Sequence, residues 1–163
     1  MSRPPRADEA GAIYHALNRG NARQPLYFKE ADYESFERII AEGLEKLPVV
    51  DLMAYQWMPN HWHMVLSPRV DGGMSAFLGW ITLTHTQRRH AHQHTTGYGH
   101  IYQGRFKSFP VQSDEHFLTV CRYVERNALT AGLIGRAEEY RWGSLYNWLG
   151  GSSPITLSAW PVK

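Results

Sequence analysis

Two histidines flank a tryptophan in the stretch MPNHWHMVLSP, at positions His61 and His63. Alternate side chains of an extended strand project from the same face, so the two imidazoles would lie side by side. Two neighbouring imidazoles can bind one divalent ion, although a third ligand is then needed from elsewhere. The same pattern also fits two strand histidines that only hydrogen-bond solvent or their neighbours.

A tyrosine and an asparagine four residues apart, Tyr123 and Asn127, form a second candidate group. At about 100° per residue they share one face of a helix, rotated from its apolar stripe. That stripe consists of Phe117, Cys121, Val124 and Ala128. Asn127 would offer an amide oxygen to a metal, and Tyr123 a hydroxyl as a nucleophile. The alternative is a tyrosine that packs at the helix edge with its hydroxyl hydrogen-bonded.

A long segment of the chain, between Asp71 and Asp114, contains no acidic residue. Its basic residues are Arg88, Arg89, Arg105 and Lys107, and its histidines are His85, His90, His92, His94 and His100. A one-sided positive field suits a polyanion, because neutralised phosphates release condensed counterions. A solvated basic loop without a partner would show the same composition.

The hydrophobic pattern predicts the elements that position these residues. Strands are predicted at residues 13–17, 49–58 and 61–68, and an extended segment near 100–111. Helical periodicity appears in residues 33–47, from residue 74 onward, and in residues 117–128. This order predicts an α+β domain, with a central antiparallel β-sheet and helices packed mainly on one face.

Length and composition favour one soluble domain. A chain of 163 residues is long enough for one core, which we place at residues 1–147, with 148–163 as a tail that wraps or frays. The lone Cys121 is interpreted as a small core residue. Because the chain has no apolar run of membrane-spanning length and no secretory signal, a cytoplasmic location is expected.

Taken together, four segments resemble the single-tyrosine HUH transposases, named for their His–hydrophobe–His motif. YHALNRGN, MPNHWHMVLSP, YQGRFKS and RYVERNALTAGL look specifically like the REP-associated tyrosine transposases, which are found beside repetitive extragenic palindromes. The resemblance covers residues 14–146. Family helices read close to RYIELNPVRAG, so Ala128 stands where proline is common, whereas Tyr123 and Asn127 are intact.

This resemblance implies a ferredoxin-like (RRM-like) fold and an enzyme that cleaves and rejoins single-stranded DNA beside a hairpin. By motif position, Tyr123 would attack the phosphate and leave a 5′-phosphotyrosine, while His61, His63 and Asn127 would hold Mg²⁺ or Mn²⁺. No organic cofactor or membrane partner is expected. The protein would be associated with the nucleoid through DNA, as a monomer or a homodimer.

The expected DNA contacts come from the basic segment and from the turn-rich NRGNAR. The predicted DNA-binding residues are Arg88, Arg89, Arg105, Lys107, Tyr102, Arg19 and Arg23. Bases could stack on Tyr98, Tyr102, Phe106 or Phe109, but alternation along a strand requires part of this set to be core. For His15 a place in the core and a place in the cleft are equally compatible with the sequence.

Two other functions remain open at this point. One is a domesticated relative that binds hairpin DNA without catalysis, in which Tyr123 has no special role. The other is a metal-dependent phosphodiesterase that uses water instead of a tyrosine nucleophile.

Overall fold

A four-stranded antiparallel sheet forms the centre of the computed structural model, which describes residues 6–94 and 99–162. The strands are β1 (Ile13–Arg19), β2 (Val50–Met58), β3 (His61–Pro68) and β4 (Lys107–Val111), in the order β2-β3-β1-β4. The helices are α1 (Glu30–Lys46), α2 (Gly73–Gln93), α3 (Asp114–Thr130) and the short α4 (Ser144–Trp148). The predicted α+β class with an antiparallel sheet is confirmed.

Two of the three long helices, α1 and α2, cover one face of the sheet. Trp62, Met64 and Leu66 alternate along β3 and are fully buried on this side. The apolar stripes of α1 and α2 pack against them, including Phe36 and Phe77. Since strand side chains alternate, burying these three residues directs His61, His63 and Val65 to the opposite face.

Helix α3 packs on that opposite face. Most of its apolar stripe, from Phe117 to Val124, is buried against Ala54 of β2 and Val65 of β3 in a second, smaller core. Ser113 caps the helix, because its side chain accepts a hydrogen bond from His116 N at 3.1 Å. Cys121 lies fully buried in this stripe. The helix therefore runs over the face that carries both histidines.

The hairpin of β2 and β3 fixes which residues share each face. Gln56 pairs with His63 and Met58 with His61. Strand β1 then pairs with β3, so that Leu17 lies opposite His63 and Arg19 opposite His61. A slip of one residue would turn both histidines into the larger core, so burial of the apolar set fixes this register.

The C-terminal residues wrap the domain rather than fray. Ser158 N donates to Leu52 O at 2.8 Å along the outer edge of β2. Trp160 Nε1 donates to Met53 O at 2.8 Å, and its ring packs edge-on against Phe117 of α3. The boundary predicted after residue 147 falls inside α4, and residues 148–162 pack onto the same domain.

Within residues 6–94 and 99–162, no helix combines the length and the apolar character that a bilayer span requires.

Candidate active site and nucleic-acid interface

Three imidazoles and one phenol meet on the α3 side of the sheet. The ring centres of His61 and His63 are 5.1 Å apart, and those of His63 and His15 are also 5.1 Å apart. Tyr123 on α3 meets His63 edge-on at 5.7 Å and His15 at 6.2 Å. The structure thus brings the predicted histidine pair and the predicted nucleophile together, and it places His15 in the cleft beside them.

Hydrogen bonds occupy the same ring nitrogen in both predicted metal ligands. His61 Nδ1 donates to Asn60 Oδ1 at 2.8 Å, and His63 Nδ1 lies 2.9 Å from His15 Nε2. Within the described chain, no hydrogen bond engages Nε2 of His61 or His63. A partner on Nδ1 orients an imidazole and leaves Nε2 available to a metal ion, which is the usual arrangement around ligating histidines.

Burial keeps these imidazoles in the form that binds metals. Desolvation lowers the pKa of His63 to about 3, with smaller contributions from His15 and His61. Burial likewise lowers the pKa of His15 to about 4, and it lowers the pKa of His61. All three rings are therefore neutral near pH 7, and a neutral imidazole has the free lone pair that coordination requires.

The donor set fits a divalent ion only if a ligand of another type joins the histidines. Across the described residues, no group of three or more His, Cys, Asp or Glu side chains is arranged to hold a metal. Asn127 lies one turn beyond Tyr123 and is half-buried. Its side-chain amide makes no hydrogen bond to any residue in the described ranges. Two neutral imidazoles and an amide oxygen are donors that a divalent ion accepts, and that His61, His63 and Asn127 bind one ion together stays a prediction.

Buried polar contacts hold α3 above the sheet. Gln56, the strand partner of His63, has its side-chain amide against the helix backbone. In the amide orientation that satisfies both of its ends, it donates to Glu125 O at 3.2 Å and accepts from Ala128 N at 3.0 Å. The side chain of Glu125 is also held, because Ser144 Oγ donates to Glu125 Oε2 and accepts from Tyr55 N at 3.0 Å. These contacts fix the helix segment that carries Tyr123 and Asn127.

Some predicted phosphate contacts lie near this site. Arg19 shares the sheet face of its strand partner His61, and its Nε donates to Gln103 Oε1. Lys107 lies opposite Leu17 on the same face and is exposed. Arg105 is exposed in the loop before β4, and all three line one groove of about 720 Å³. Arg23 is exposed in a one-turn helix after β1.

Three predicted DNA contacts lie elsewhere. Tyr102 is only 7% exposed. Its hydroxyl accepts a hydrogen bond from Trp62 Nε1 at 3.0 Å and lies 2.6 Å from His85 Nδ1. Because the ring is buried, the prediction that it stacks a base is wrong. Arg88 pairs with Glu42 at 2.7 Å. Arg89 donates to Pro25 O at 3.0 Å. Both arginines belong to α2, which covers the sheet face opposite α3, so they do not add positive charge on the side of Tyr123.

Two arginines on α3 were not among the predicted DNA contacts. Arg122 and Arg126 immediately precede Tyr123 and Asn127, and both are exposed. Within the described ranges neither makes a hydrogen bond or an ion pair. Their signal was the spacing of four in RYVER, which puts both on the outer side of α3. Tyr98, named as a possible stacking residue, falls outside the described residues.

Two solved structures of known proteins share the fold of this chain. A REP-associated tyrosine transposase bound to a REP hairpin has a similar structure, with a TM-score of 0.74 and 17% identity over 99% of this chain and 96% of that one. A putative transposase from Deinococcus radiodurans R1 matches with a TM-score of 0.52 and 15% identity, over 77% of this chain and 97% of that one. No curated protein sequence matches this chain.

The family of this chain is shown by its sequence. The model described as "Transposase IS200 like" matches residues 10–127, a range that contains β1, the histidine pair, Tyr123 and Asn127. The chain therefore belongs to the IS200-like transposase family.

Proposed function

We propose that this protein cleaves and rejoins single-stranded DNA beside a hairpin, through a covalent 5′-phosphotyrosine at Tyr123. One observation carries the proposal. The Tyr123 ring is 57% exposed, yet it lies edge-on against the buried His63 at 5.7 Å. A nucleophile must be open to a polymeric substrate and also adjacent to the groups that bind its phosphate.

In the first step, Tyr123 Oη forms a bond to the scissile phosphorus and the bond from phosphorus to the 3′-oxygen breaks. The phenolic proton passes to water, and the leaving 3′-oxygen takes up a proton to become a hydroxyl. Attack by a 3′-hydroxyl on the phosphotyrosine reverses the process and joins strands. Because the covalent bond conserves the energy of the phosphodiester, joining requires no ATP.

The residues His61, His63 and Asn127 would hold Mg²⁺ or Mn²⁺. Such an ion neutralises phosphate oxygens and stabilises the developing charge on the attacking oxygen. The chain's own contribution is orientation: Asn60 and His15 fix the two imidazoles through Nδ1, and Gln56 fixes α3 relative to β3. If His15 accepts from His63, a neutral His15 carries its proton on Nδ1, so its ring is not the base for Tyr123.

Hairpin DNA is the proposed substrate for two reasons. The similar structure described above is a tyrosine transposase bound to a REP hairpin, and the present chain aligns with it over nearly its whole length. In addition, Arg19, Arg105 and Lys107 line one groove at the β1–β4 side of the sheet. Basic side chains along such a groove supply the sequence-independent part of DNA binding.

A covalent adduct is the decisive test. Wild-type protein incubated with a hairpin that has single-stranded flanks, together with Mg²⁺ or Mn²⁺, should form a protein–DNA species that survives denaturation. Tyr123→Phe removes one oxygen and keeps the ring that packs on His63, so binding should persist while the adduct disappears. Tyr146→Phe is the matched control, because it removes a phenolic hydroxyl from α4 and should leave the adduct intact.

The alternatives predict different outcomes. Continued cleavage by Tyr123→Phe without an adduct would identify a water-dependent phosphodiesterase. Tight binding without cleavage by the wild type, with either metal, would identify a hairpin-binding protein that has lost catalysis.

A further inference from the structure

A large aromatic side chain beside the site, that of Phe109, is exposed to solvent instead of being buried in a core. Phe109 on β4 is 53% exposed, whereas Phe106 and Phe117 nearby in the sequence are buried. It is the strand partner of His15, so its ring stands on the same sheet face, with ring centres 6.4 Å apart. His15 in turn meets Tyr123 at 6.2 Å. A single imidazole therefore separates the exposed phenyl ring from the proposed nucleophile.

The neighbours of Phe109 suit a nucleotide. Lys107 precedes it by two residues on β4, so both side chains leave the same face of the strand. Lys107 is exposed and would meet a phosphate, while an exposed phenyl ring offers a flat apolar surface to a base. Alternating cations and aromatics is how proteins hold single-stranded nucleic acid without reading its sequence.

We propose that Phe109 forms a stacking subsite for a nucleobase of the single-stranded DNA that passes Tyr123. The subsite rests on the proposed function, since it assigns a position to a nucleotide next to the cleaved phosphate. Its ligand is an unpaired base of any identity, because every base presents a π-face. Stacking on one side of the phosphate fixes the strand relative to Tyr123, so Phe109 acts as a positioning residue.

A competing explanation is that Phe109 only shields His15 from water. Leucine separates the two explanations, because it is apolar and fills much of the same space but has no π-face. A shielding role predicts that Phe109→Leu behaves like the wild type. A stacking role predicts that Phe109→Leu and Phe109→Ala are both defective and that Phe109→Trp is not.

The experiment compares two DNA probes with the full-length protein in EDTA, so that cleavage does not interfere. One probe is a hairpin with single-stranded flanks, and the other is the same hairpin without them. Phe109→Leu should bind the flanked hairpin about tenfold more weakly than the wild type, and it should bind the blunt hairpin equally well. Thermal unfolding of each variant shows whether its fold is intact.

A second readout reports stacking directly. 2-Aminopurine is placed in turn at each flank position and its fluorescence is measured. At one position the wild type and Phe109→Trp should quench this fluorescence, whereas Phe109→Leu should not. Equal quenching with wild type and Phe109→Leu at every position, or an equal loss of affinity for both probes, would overturn the proposal. These readouts need no catalysis, so failure of the Tyr123 adduct and failure of this subsite are distinguishable.

Discussion

His15 Nε2 lies 2.9 Å from His63 Nδ1, with the two rings stacked. Only one of the two nitrogens can carry the shared hydrogen. If His15 donated it, a neutral His63 would carry its own proton on Nε2 and could not bind a metal through that atom. A metal at His63 Nε2 therefore requires His63 to donate and His15 to accept, which makes His15 the residue that selects the tautomer of its neighbour.

Replacing His15 should weaken metal binding without weakening hairpin binding. We expect His15→Phe to lower the apparent affinity for Mn²⁺ by about 10- to 100-fold, because His63 loses the partner that fixes its tautomer and orientation. His15→Gln supplies an amide oxygen as an acceptor and should retain more of the affinity. Titrating Mn²⁺ by its paramagnetic resonance signal measures this directly, and equal affinity in all three proteins would contradict the assigned role.

Tyr102 should contribute to the stability of the fold and not to DNA binding. Its hydroxyl accepts from Trp62 Nε1 and meets His85 Nδ1 inside the core. Tyr102→Phe leaves the buried indole N–H without an acceptor, so the free energy of unfolding should fall by about 1–3 kcal/mol. Urea unfolding measures the loss, with Tyr146→Phe as the matched tyrosine variant. If Tyr102→Phe instead lost hairpin affinity with unchanged stability, Tyr102 would be a DNA-contacting residue.

His85 should make the fold sensitive to acid. Burial lowers the pKa of His85 to about 3, below the ordinary value of 6.5. As the pH falls below 6.5, His85 becomes protonated in the unfolded chain but stays neutral in the folded chain. The free energy of unfolding therefore decreases as the pH falls toward 3. The loss is about 1.4 kcal/mol per pH unit for one such group.

His85→Gln removes this group and keeps a polar partner for Tyr102. The variant is expected to be less stable at pH 7.5 but to lose about 2 kcal/mol less than the wild type between pH 7.5 and pH 5. Urea unfolding at the two pH values gives the difference, and other titrating groups cancel because they are common to both proteins. An identical pH dependence in the two proteins would show that His85 has the same pKa in the folded and in the unfolded chain.

Local periodicity was enough to predict which side of the core the candidate residues lie on. The alternation along β3 separates the histidine pair from Trp62 and Met64, and the structure confirms this separation. The stripe of α3 likewise places Tyr123 beside the core and not within it. Both predictions hold because burying the apolar set leaves only one orientation for the remaining side chains.

Other features depend on contacts between distant parts of the chain. His15 could be placed in the cleft only once the pairing of β1 with β3 was known. The alternation expected near Tyr102 fails because residues 99–106 precede β4 and form no strand of their own, with Tyr102 making only a single bridge to Gly20. Arg88 reads as a free cation in the sequence, but Glu42 from α1 neutralises it. Composition alone cannot reveal such pairing.

Salt dependence should distinguish cations that meet DNA from those that stabilise the fold. Lys107 is exposed on the sheet face of His15 and Tyr123, and Lys107→Ala should reduce the slope of log affinity against log salt by about one unit, as expected for one lost phosphate contact. Arg88→Ala is the matched control, because Arg88 is paired with Glu42 on the other side of the sheet and should leave the slope unchanged. Hairpin binding measured from low to moderate salt provides both slopes. If Arg88→Ala lowered the slope and Lys107→Ala did not, the DNA would run along α2, and the positive surface near Tyr123 would not be its path.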